Sequence, residues 1–475
     1  MSEKDDAAQL ARLGYAQELL RSMGGFSNFA ISFSIISVLT GVVSSYKIAI
    51  QAGGPAGLGI GWPLVCAGTL LVALAMAELA SAFPTAGALY HWSALLGGAG
   101  AGWMVAATNL VGQIAIVAAI DFACAKTLGS TLALHDGATL PLFFAVIGSH
   151  AIINLRSIRL VARLNDFSAT VHVIGVVVLV ALLAAFGRAQ PISFLGKTGF
   201  TLRDDHAYAL GFFNALTLGM WTMTGFDASA HASEETRDPA RSAPRGILSS
   251  VVVSAIAGYA LIVALTLAIG DLPKIAGDDE PALAILRTAL GERAGRAAMG
   301  AAIVAMWFCG LSSVTSASRT FYAFARDDGL PFSALIRRVS PRFKTPPQAI
   351  ALAVVLPCLL VVATSRLSGA VFDAVGSLAT TALYVSYAAP IALGVVARLR
   401  GKWTRRGPFA LGRAGLAVAC AAVVYSAFVL VCFAIPPNQV YGELIVGIEL
   451  AIVVVYVVFA RRRFRGPKLD LAAIE

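Results

Sequence analysis

The stretch GMWTMTGFDASAHASEET, residues Gly219–Thr236, combines features that rarely occur together in an apolar segment. It ends a run that is hydrophobic enough to enter a membrane, yet it contains two glycines, five hydroxyl-bearing residues and the carboxyl group of Asp227. An unpaired backbone N–H or C=O group is costly in hydrocarbon, so irregular backbone is tolerated there only beside a cavity or inside the protein. The stretch therefore predicts a membrane helix that is interrupted at a functional site.

The composition of the whole chain supports a membrane location. Of 475 residues, 58% are hydrophobic and only 13% are charged, and the mean hydropathy is +0.79. A soluble protein of this length needs more charge on its surface, and apolar runs of roughly 20 residues, enough to cross a bilayer, recur throughout. These values predict an all-α polytopic membrane protein with twelve spans. The predicted spans 1 to 12 are residues 26–50, 62–83, 102–125, 140–155, 164–186, 208–230, 247–269, 298–322, 347–364, 371–396, 411–433 and 444–460.

The distribution of basic residues predicts the orientation. With the amino terminus inside, the inner segments carry 24 of the 36 Lys and Arg residues, which is typical of cytoplasmic loops. We therefore expect both termini to be cytoplasmic, and the Ala- and Arg-rich composition suits a bacterial inner (plasma) membrane. The polar amino-terminal segment is not expected to be a signal peptide, because it lacks an apolar core with a cleavage site. Since the net charge of +10 is divided among short loops, a nucleic-acid partner is not expected.

Several enzyme and cofactor classes find no support in the sequence. The six cysteines are scattered singly, without the spacing of metal ligands, so neither a metal nor a disulfide is expected. HExxH, GxSxG and Walker-type motifs, which would indicate a membrane-embedded hydrolase or an ATP-driven pump, do not occur. We predict a protein that is not an enzyme, uses no cofactor and takes its energy from an ion gradient or from exchange.

Two spans carry glycine interruptions in corresponding positions, if the first ten spans form two repeats of five. Span 1 contains Ser37 and Thr40-Gly41, and span 6 contains Thr224-Gly225. Such paired interruptions are the best sequence indication of a transporter binding site. Glycine also eases helix packing, which is the structural alternative. The predicted substrate-binding residues are Ser37, Val38, Leu39, Thr40, Gly41, Gln113, Trp221, Thr222, Thr224, Gly225 and Asp227.

The chemistry of an interrupted helix explains why these residues are predicted to bind the substrate. A half-helix that starts near Gly41 would direct free N–H groups and a positive dipole end at a substrate carboxylate. Unwound residues before it, Ser37, Val38 and Leu39, would leave carbonyl groups for an ammonium group or a cation. Span 6 is expected to repeat the arrangement around residues 222–225.

Four stretches in order resemble the amino acid–polyamine–organocation superfamily, particularly its amino acid/choline transporter branch. They are FSNFAISFSIISVLTG in span 1, AELASAFPTAGALYHW after span 2, GFDASAHASEETRDPARSAPRGI at span 6 and WFCGLSSVTSASRTFYAFARDDGLPFS in span 8. The resemblance covers nearly the whole chain. It implies a LeuT-like fold of two inverted five-helix repeats, with helices 1 and 6 discontinuous, plus two extra carboxy-terminal helices.

The same resemblance implies a domain organisation and a range of substrates. The expected parts are a cytoplasmic tail (1–25), a ten-helix core (26–396, with repeats of about 26–186 and 208–396), two extra helices (397–460) and a second cytoplasmic tail (461–475). Members of that branch carry amino acids, 4-aminobutyrate, choline or polyamines. The substrate is expected to bind near the bilayer midplane.

Individual residues of the predicted site have defined alternatives. Trp221 resembles the aromatic residue that closes over the substrate in the superfamily, and it could also hold an ammonium group by a cation–π contact; the alternative is a packing tryptophan. Asp227 could partner the substrate amine, carry a proton or stabilise the interruption.

The polar residues of span 3 also have alternatives. Asn109 and Gln113 are four residues apart and therefore lie on one helix face. Gln113 is either a site contact or a packing hydrogen bond. Asp121 could attract cations in an outer vestibule or lie at the water interface with Lys126.

Two sets of residues are candidates for ion coupling. His172 in span 5 could alternate between its charged and neutral forms near neutral pH, which favours coupling to protons together with Asp227. The hydroxyl groups of span 8, Ser312, Ser313, Thr315 and Ser316, could instead bind sodium with carbonyl groups of span 1. The residues alone do not decide between proton and sodium.

The remaining charged motifs predict inner gates. We expect Glu234 and Glu235 to pair with Arg237, Arg241 and Arg245 and so to close the inner vestibule, with Arg326-Asp327-Asp328 acting likewise. The other histidines show no spacing typical of a metal site, and each is expected to be structural: His91, His135, His150, His206 and His231.

The sequence thus predicts a secondary transporter, embedded in lipid, that moves an amino acid or related amine such as 4-aminobutyrate by alternating access with a proton. The alternatives are sodium-coupled or exchange transport of choline- or polyamine-type cations and, from a different class, a membrane-embedded enzyme.

Overall fold

The computed structural model describes residues 15–202, 207–367, 370–403 and 405–468. Within these ranges the chain is helical, and the one β-type contact is an isolated parallel bridge between Met23 and Thr236. Eleven helices are long and apolar enough to cross a membrane. This confirms the prediction of an all-α polytopic membrane protein. His206 lies outside the described residues.

The eleven helices correspond to all predicted spans except span 6, which is divided. Spans 1 to 5 are Gly25–Gly59, Gly61–Ala82, Ala99–Thr131, Thr139–Arg156 and Ile158–Phe186. Spans 7 to 12 are Pro239–Leu267, Glu292–Arg326, Pro347–Leu367, Val371–Leu399, Gly412–Cys432 and Gln439–Ala460. Span 6 consists of the helices Tyr208–Ala215, Thr217–Thr222 (span 6a) and Ala228–His231 (span 6b). Shorter helices between the spans are Leu89–Gly97, Leu272–Ala276, Pro281–Leu290 and Ser333–Ile336.

Several spans are longer than the hydropathy pattern predicts. Span 3 continues six residues beyond the predicted end at residue 125, and span 8 begins six residues before the predicted start at 298. Hydropathy detects only the part of a helix that matches the hydrocarbon, whereas a helix continues for as long as its backbone bonds and packing favour it. The longer spans place some polar residues deeper in the protein than the sequence predicted.

The interruption of span 1 is a single residue. Ser37 has a left-handed backbone (φ 33°), and its N–H donates to Phe33 O, which ends the first half of span 1, Gly25–Ile36 (span 1a). The Ser37 side chain accepts a hydrogen bond from the backbone N–H of Thr40 and thereby caps the second half, Val38–Gly59 (span 1b).

The prediction that span 1 restarts near Gly41 is therefore wrong, and Val38 and Leu39 are helical, not unwound. A serine can end one helix with its backbone and cap the next with its hydroxyl group, so a single residue is sufficient for the break.

The interruption of span 6 is longer and covers residues 223–227, close to the predicted position. Gly225 has φ 91°, and a Cβ at this position would lie 2.2 Å from Ile35 Cγ2. Both the backbone angle and the close approach require glycine.

Both ends of the described chain reach one side of the molecule, which we call the terminal face. Asp327, just after span 8, accepts hydrogen bonds from Tyr15 Oη (2.8 Å) and from the backbone N–H of Lys468 (3.2 Å). The opposite side, which we call the vestibule face, contains the ends of spans 1 and 3 and the start of span 10 around a cavity of about 610 Å³.

Candidate functional site

The two interruptions lie against each other. A Cβ on Gly41 would lie 2.3 Å from Thr222 Oγ1, so span 1b and span 6a touch where each is broken. On the other side of the breaks, Ser32 Oγ donates to Phe226 O (2.9 Å) and accepts from the backbone N–H of Ser229 (2.8 Å). Residues of the predicted site that are about 180 positions apart in the sequence are thus neighbours in the middle of the molecule.

The span 1 break is hydrogen-bonded to the predicted coupling histidine. Ser37 Oγ lies 2.6 Å from His172 Nε2 and 2.6 Å from Thr40 Oγ1, and all three side chains are buried. His172 Nδ1 lies 2.8 Å from Ser168 O, so Nδ1 bears a hydrogen and donates it. A neutral His172 then accepts from the Ser37 hydroxyl group, whereas a protonated His172 donates to it. The charge on His172 therefore determines the direction of the hydrogen bonds at the break.

Asp227 forms a second buried polar cluster, next to the span 6 break. Its carboxylate accepts from Tyr387 Oη (2.7 Å) and from Gln113 Nε2 (3.3 Å), and it lies 3.2 Å from His231 Nε2. The other ring nitrogen of His231 lies 3.2 Å from Ala86 O. Both ring nitrogens of His231 thus face oxygen atoms. Both contacts are hydrogen bonds only when a proton lies between His231 Nε2 and the Asp227 carboxylate and Nδ1 donates to Ala86 O.

Two members of this cluster were missed in the sequence. His231 was expected to be merely structural, although its spacing of four from Asp227 was available as a signal, because residues four apart on a helix are neighbours. Tyr387 lies in span 10, about 160 residues away, and nothing in its local sequence indicates the contact. Tyr387 also accepts a hydrogen bond from the backbone N–H of Gly225 (3.2 Å), which fixes the break to span 10.

Trp221 lies between the vestibule and the breaks. Its ring packs edge-on against Phe372, with centroids 5.7 Å apart, and Phe372 lines the vestibule. A small cavity of about 30 Å³ lies between these two rings and Thr380. Trp221 is 7% exposed. The role of Trp221 as a lid over the breaks stays a prediction.

The rim of the vestibule is held by two ion pairs. Lys47 Nζ lies 2.6 Å from Asp279, and Lys126 Nζ lies 3.3 Å from Glu280. Both carboxylates come just before the helix Pro281–Leu290, so this segment bridges spans 1 and 3. The side chains are partly exposed, and each pair therefore contributes little to stability.

Asp121 belongs neither to the vestibule nor to the water interface, and both predictions for it are wrong. It is fully buried and lies 3.2 Å from His150 Nδ1, whereas Lys126 pairs with Glu280. The reason is the length of span 3, which continues to Thr131 and so places Asp121 well inside the protein.

Asn109 and Gln113 have separate partners. Asn109 Nδ2 donates to Ser386 Oγ (3.1 Å) of span 10, whereas Gln113 donates to Asp227. Gln113 therefore reaches the cluster beside the span 6 break, and Asn109 makes a packing contact.

The hydroxyl groups of span 8 are largely occupied by protein acceptors. Ser312 donates to Asn165 Oδ1 (2.8 Å), Ser313 to Cys309 O (2.9 Å) and Thr315 to Asn154 Oδ1 (2.7 Å). Ser316 Oγ is buried and has no hydrogen-bond partner among the described residues. The three bonded hydroxyl groups have different acceptors, and no hydrogen bond joins any two of the four side chains among the described residues.

The terminal face is closed by two buried ion pairs, which we call the latch. The Glu234 carboxylate accepts two hydrogen bonds from the guanidinium group of Arg326 (2.7 and 2.8 Å), a bidentate ion pair. A carboxylate oxygen of Glu235 lies 2.8 Å from Arg319 Nη2. The guanidinium group of Arg326 also lies 3.8 Å from the centre of the Tyr15 ring.

The predicted partners of these glutamates are wrong. Arg326 was expected only as part of a further gate, and Arg237, Arg241 and Arg245 are exposed at the start of span 7, where Arg241 pairs with Asp238. The short turn Ser233–Glu235 directs the carboxylates inward to span 8, away from the arginines that follow in sequence.

The Glu234–Arg326 pair of the latch is expected to stay charged throughout the pH range in which histidines titrate. Burial alone would raise the pKa of Glu234, but the charge and hydrogen bonds of Arg326 outweigh it and hold that pKa below its ordinary value. A lowered carboxyl pKa contributes stability at pH values above the ordinary one, and this contribution is lost only as the pH falls through the lowered pKa. This pair therefore adds no pH dependence between about 5 and 7, whereas burial outweighs the charge of Arg319 and raises the pKa of Glu235 above its ordinary value.

Breaking the latch is expected to open the terminal face. In a Glu234→Gln variant the guanidinium of Arg326 stays buried without its charged partner, which costs about 3–5 kcal/mol in comparable buried pairs. A cysteine introduced as Ser316→Cys should then react with an impermeant thiol reagent at least about 10-fold faster than in the protein with the intact latch. Asp238→Asn, which removes an exposed pair, is the matched control and should leave the rate unchanged. Equal rates in all three proteins would contradict the role of the latch.

Comparisons with known proteins all indicate the same family. The family model described as amino acid permease matches residues 23–459. The chain is 36% identical to the amino-acid permease BAT1 of Arabidopsis thaliana, with 97% of this chain and 95% of the relative covered. It is 35% identical to the BAT1 homolog of Oryza sativa subsp. japonica (98% and 96% covered) and 28% identical to the GABA-specific permease of Saccharomyces cerevisiae (98% and 86% covered).

Proposed function

Because the chain belongs to the amino acid permease family, we propose that it carries an amino acid or a related amine across the plasma membrane by alternating access, driven by protons. The family makes the chain a multi-pass amino acid transporter and not an enzyme. The observation that carries the finer proposal is the position of the two touching breaks, which lie between an open vestibule and a closed latch. A site that is accessible from alternate sides requires a gate on each side.

The proposed substrate site uses both breaks. The N–H groups of the first turn of span 1b, at Val38 and Leu39, have no acceptor within their own helix and suit a carboxylate. The carboxyl end of span 6a, at Thr222, carries the negative end of a helix dipole and suits an amine, and Trp221 above it can add a cation–π contact. The remaining proposed contacts are Ser37, Thr40, Gly41, Gln113, Thr224, Gly225 and Asp227.

A substrate that fits both breaks must have an amine and a carboxylate. One relative is a GABA-specific permease, which makes 4-aminobutyrate the first substrate to test. Choline and putrescine lack a carboxylate, so they would leave the first turn of span 1b without a partner and are expected to be weak substrates.

Protons are the proposed coupling ion because two buried histidine clusters border the breaks. His172 is hydrogen-bonded to Ser37 at the span 1 break, and His231 shares Asp227 with Tyr387 beside the span 6 break. A change of charge on either histidine would alter the hydrogen bonds that hold a break. Sodium binding at Ser312–Ser316 remains the alternative, with Ser316 as the hydroxyl group free of a described partner.

The orientation and domain organisation complete the proposal. The terminal face is assigned to the cytoplasm because it carries the basic loops, including Arg461–Lys468. The transport core is residues 26–396, with inverted repeats of about 26–186 and 208–396, and spans 11 and 12 are additions.

Uptake into liposomes that contain the purified protein tests the function. The labelled substrates are 4-aminobutyrate, a neutral and a basic amino acid, choline and putrescine, each with an inward proton or sodium gradient. Uptake of an amino acid driven by protons supports the proposal. Uptake driven only by sodium would move the coupling to span 8, and exchange with preloaded substrate without net uptake would make the protein an antiporter.

Replacing His172 by Ala is expected to uncouple part of the transport from protons. Without the imidazole, the Ser37 hydroxyl group loses its bond to span 5, and the span 1 break loses the neighbouring group whose charge can change. Proton-driven accumulation should fall about 10-fold or more, while exchange of preloaded substrate is retained. His135→Ala, at the exposed vestibule rim, is the control. Uptake by His172→Ala with full proton dependence would leave His172 a structural residue.

A further inference from the structure

The terminal face carries a groove of about 780 Å³ between the segment before span 1 and the loop that joins spans 8 and 9. Basic side chains dominate its lining, whereas a single carboxylate contributes to it. The charged residues of the groove are Arg326, Arg337, Arg338, Lys344, Lys468 and Glu18. The groove lies outside the transport pathway, on the far side of the latch.

The charges in the groove are incompletely neutralised. Arg337 and Lys468 share one carboxylate, Asp328, at 2.9 Å each. Arg338 and Lys344 are exposed, and neither pairs with a carboxylate within residues 15–202, 207–367, 370–403 or 405–468. Cations gathered around one groove repel one another unless an anion joins them. The groove therefore has the charge of an anion site.

The remaining charged groups of the groove are already engaged. Arg326 is bound to Glu234 in the latch, and Glu18 accepts a hydrogen bond from Tyr322 Oη (2.7 Å). This leaves Arg338 and Lys344 as the two cations available to a ligand.

The loop that carries these two residues is held in shape before any ligand binds. Ser340 N–H donates to Thr345 O (2.8 Å), and Lys344 N–H donates to Ser340 O (2.9 Å). Lys344 has a left-handed backbone (φ 55°), which is unfavourable for a residue with a side chain. Strained backbone of this kind is enriched at ligand sites. Here it holds Lys344 at the wall of the groove.

Apolar side chains beside the groove indicate that it opens to the membrane surface. Phe332 is 82% exposed, and Leu335 and Phe343 are also exposed. All three lie in the loop between the end of span 8 at Arg326 and the start of span 9 at Pro347. A loop that joins two spans is expected at the level of the lipid headgroups. Exposed aromatic rings mixed with basic residues are typical of contact with an anionic membrane surface.

We propose that this groove binds the phosphate of an anionic phospholipid headgroup, with Arg338 and Lys344 supplying its charge partners. The planar guanidinium group of Arg338 can donate two hydrogen bonds to phosphate oxygens, and the ammonium group of Lys344 adds a point charge. Phe332 enters the acyl boundary beside the headgroup. The bound lipid also touches Tyr15 and Arg326, so it contacts the latch from outside.

Binding of phosphatidylglycerol to the purified full-length protein tests this site without any transport. Native mass spectrometry gives the affinity for phosphatidylglycerol and for phosphatidylcholine. The test variant is Arg338→Gln/Lys344→Gln. The control, Arg462→Gln/Arg463→Gln, removes the same charge from exposed residues of the same face that do not line the groove. All four side chains are exposed, so both variants are expected to fold.

The groove variant is expected to lose affinity for phosphatidylglycerol by about 10-fold or more, whereas the control loses little. Arg338→Lys/Lys344→Arg, which keeps the charge, should retain most of the binding. Equal losses in the groove variant and the control, or equal affinity for phosphatidylcholine, would overturn the proposal. If phosphatidylglycerol shows no binding that depends on the groove, while millimolar inorganic phosphate protects the protein from thermal unfolding and the groove variant alone loses this protection, the anion site stands but the lipid assignment is overturned.

Discussion

An Asp227→Asn variant should lose proton-driven uptake almost completely while it still folds and still exchanges preloaded substrate. The amide can accept the hydrogen bond of Tyr387, but it has no negative charge with which to hold a proton on His231. Removing one charge of a comparable buried pair costs about 3–5 kcal/mol. The expected loss of accumulation is about 100-fold or more, measured with an inward proton gradient.

The chain offers a matched control for this experiment. Asp121 is equally buried and also lies 3.2 Å from a histidine, His150, but it does not border the touching breaks. Asp121→Asn should lower thermal stability and leave the proton dependence unchanged. If Asp227→Asn kept full proton-driven accumulation, or if both variants lost it equally, Asp227 would not be a coupling residue.

Gly225→Ala is expected to abolish transport in every mode, including exchange. The added Cβ would lie 2.2 Å from Ile35 Cγ2, and the backbone angle of φ 91° is unfavourable for alanine by about 1–2 kcal/mol before any clash. The two breaks would have to separate, which removes the site that both proton-driven and exchange transport need. Initial rates of exchange should fall by about 100-fold, since relief of such overpacking typically costs a further 1–3 kcal/mol.

Two further variants distinguish the clash with Ile35 from the strained backbone angle as the cause of that loss. Gly300→Ala in span 8 meets no atom within 4 Å and should be neutral. Gly225→Ala combined with Ile35→Ala removes the nearest clashing atom but not the strained angle, so it should recover only part of the rate. Full activity of Gly225→Ala would mean that the breaks need not touch during transport.

The sequence predicted the fold better than the details of the site. Hydropathy located all twelve segments, because a span must be apolar over its whole length, and the paired glycines indicated which two spans are interrupted. It placed the restart of span 1 near Gly41, since it could not show that Ser37 alone ends one helix and caps the next. The glycine at 41 is there for contact with Thr222 rather than for the bend.

The partners of buried charged residues were the least predictable part. Glu234 pairs with Arg326, about ninety residues away, and not with the nearby arginines; Asp227 takes Tyr387 from span 10. Neighbours in sequence are the default expectation for a charged side chain, but helix packing in the membrane brings distant positions together. His231 shows the converse case: its partner Asp227 is only four residues away, and the spacing was a usable signal.

The hydrogen bonds at Asp327 have a consequence for the biogenesis of the protein. One donor, Tyr15, precedes all twelve spans, and another, the backbone of Lys468, follows them all. The cluster around this carboxylate can therefore be completed only after the last span has left the ribosome and entered the bilayer. During synthesis the terminal face therefore lacks part of its closure until span 12 has been inserted.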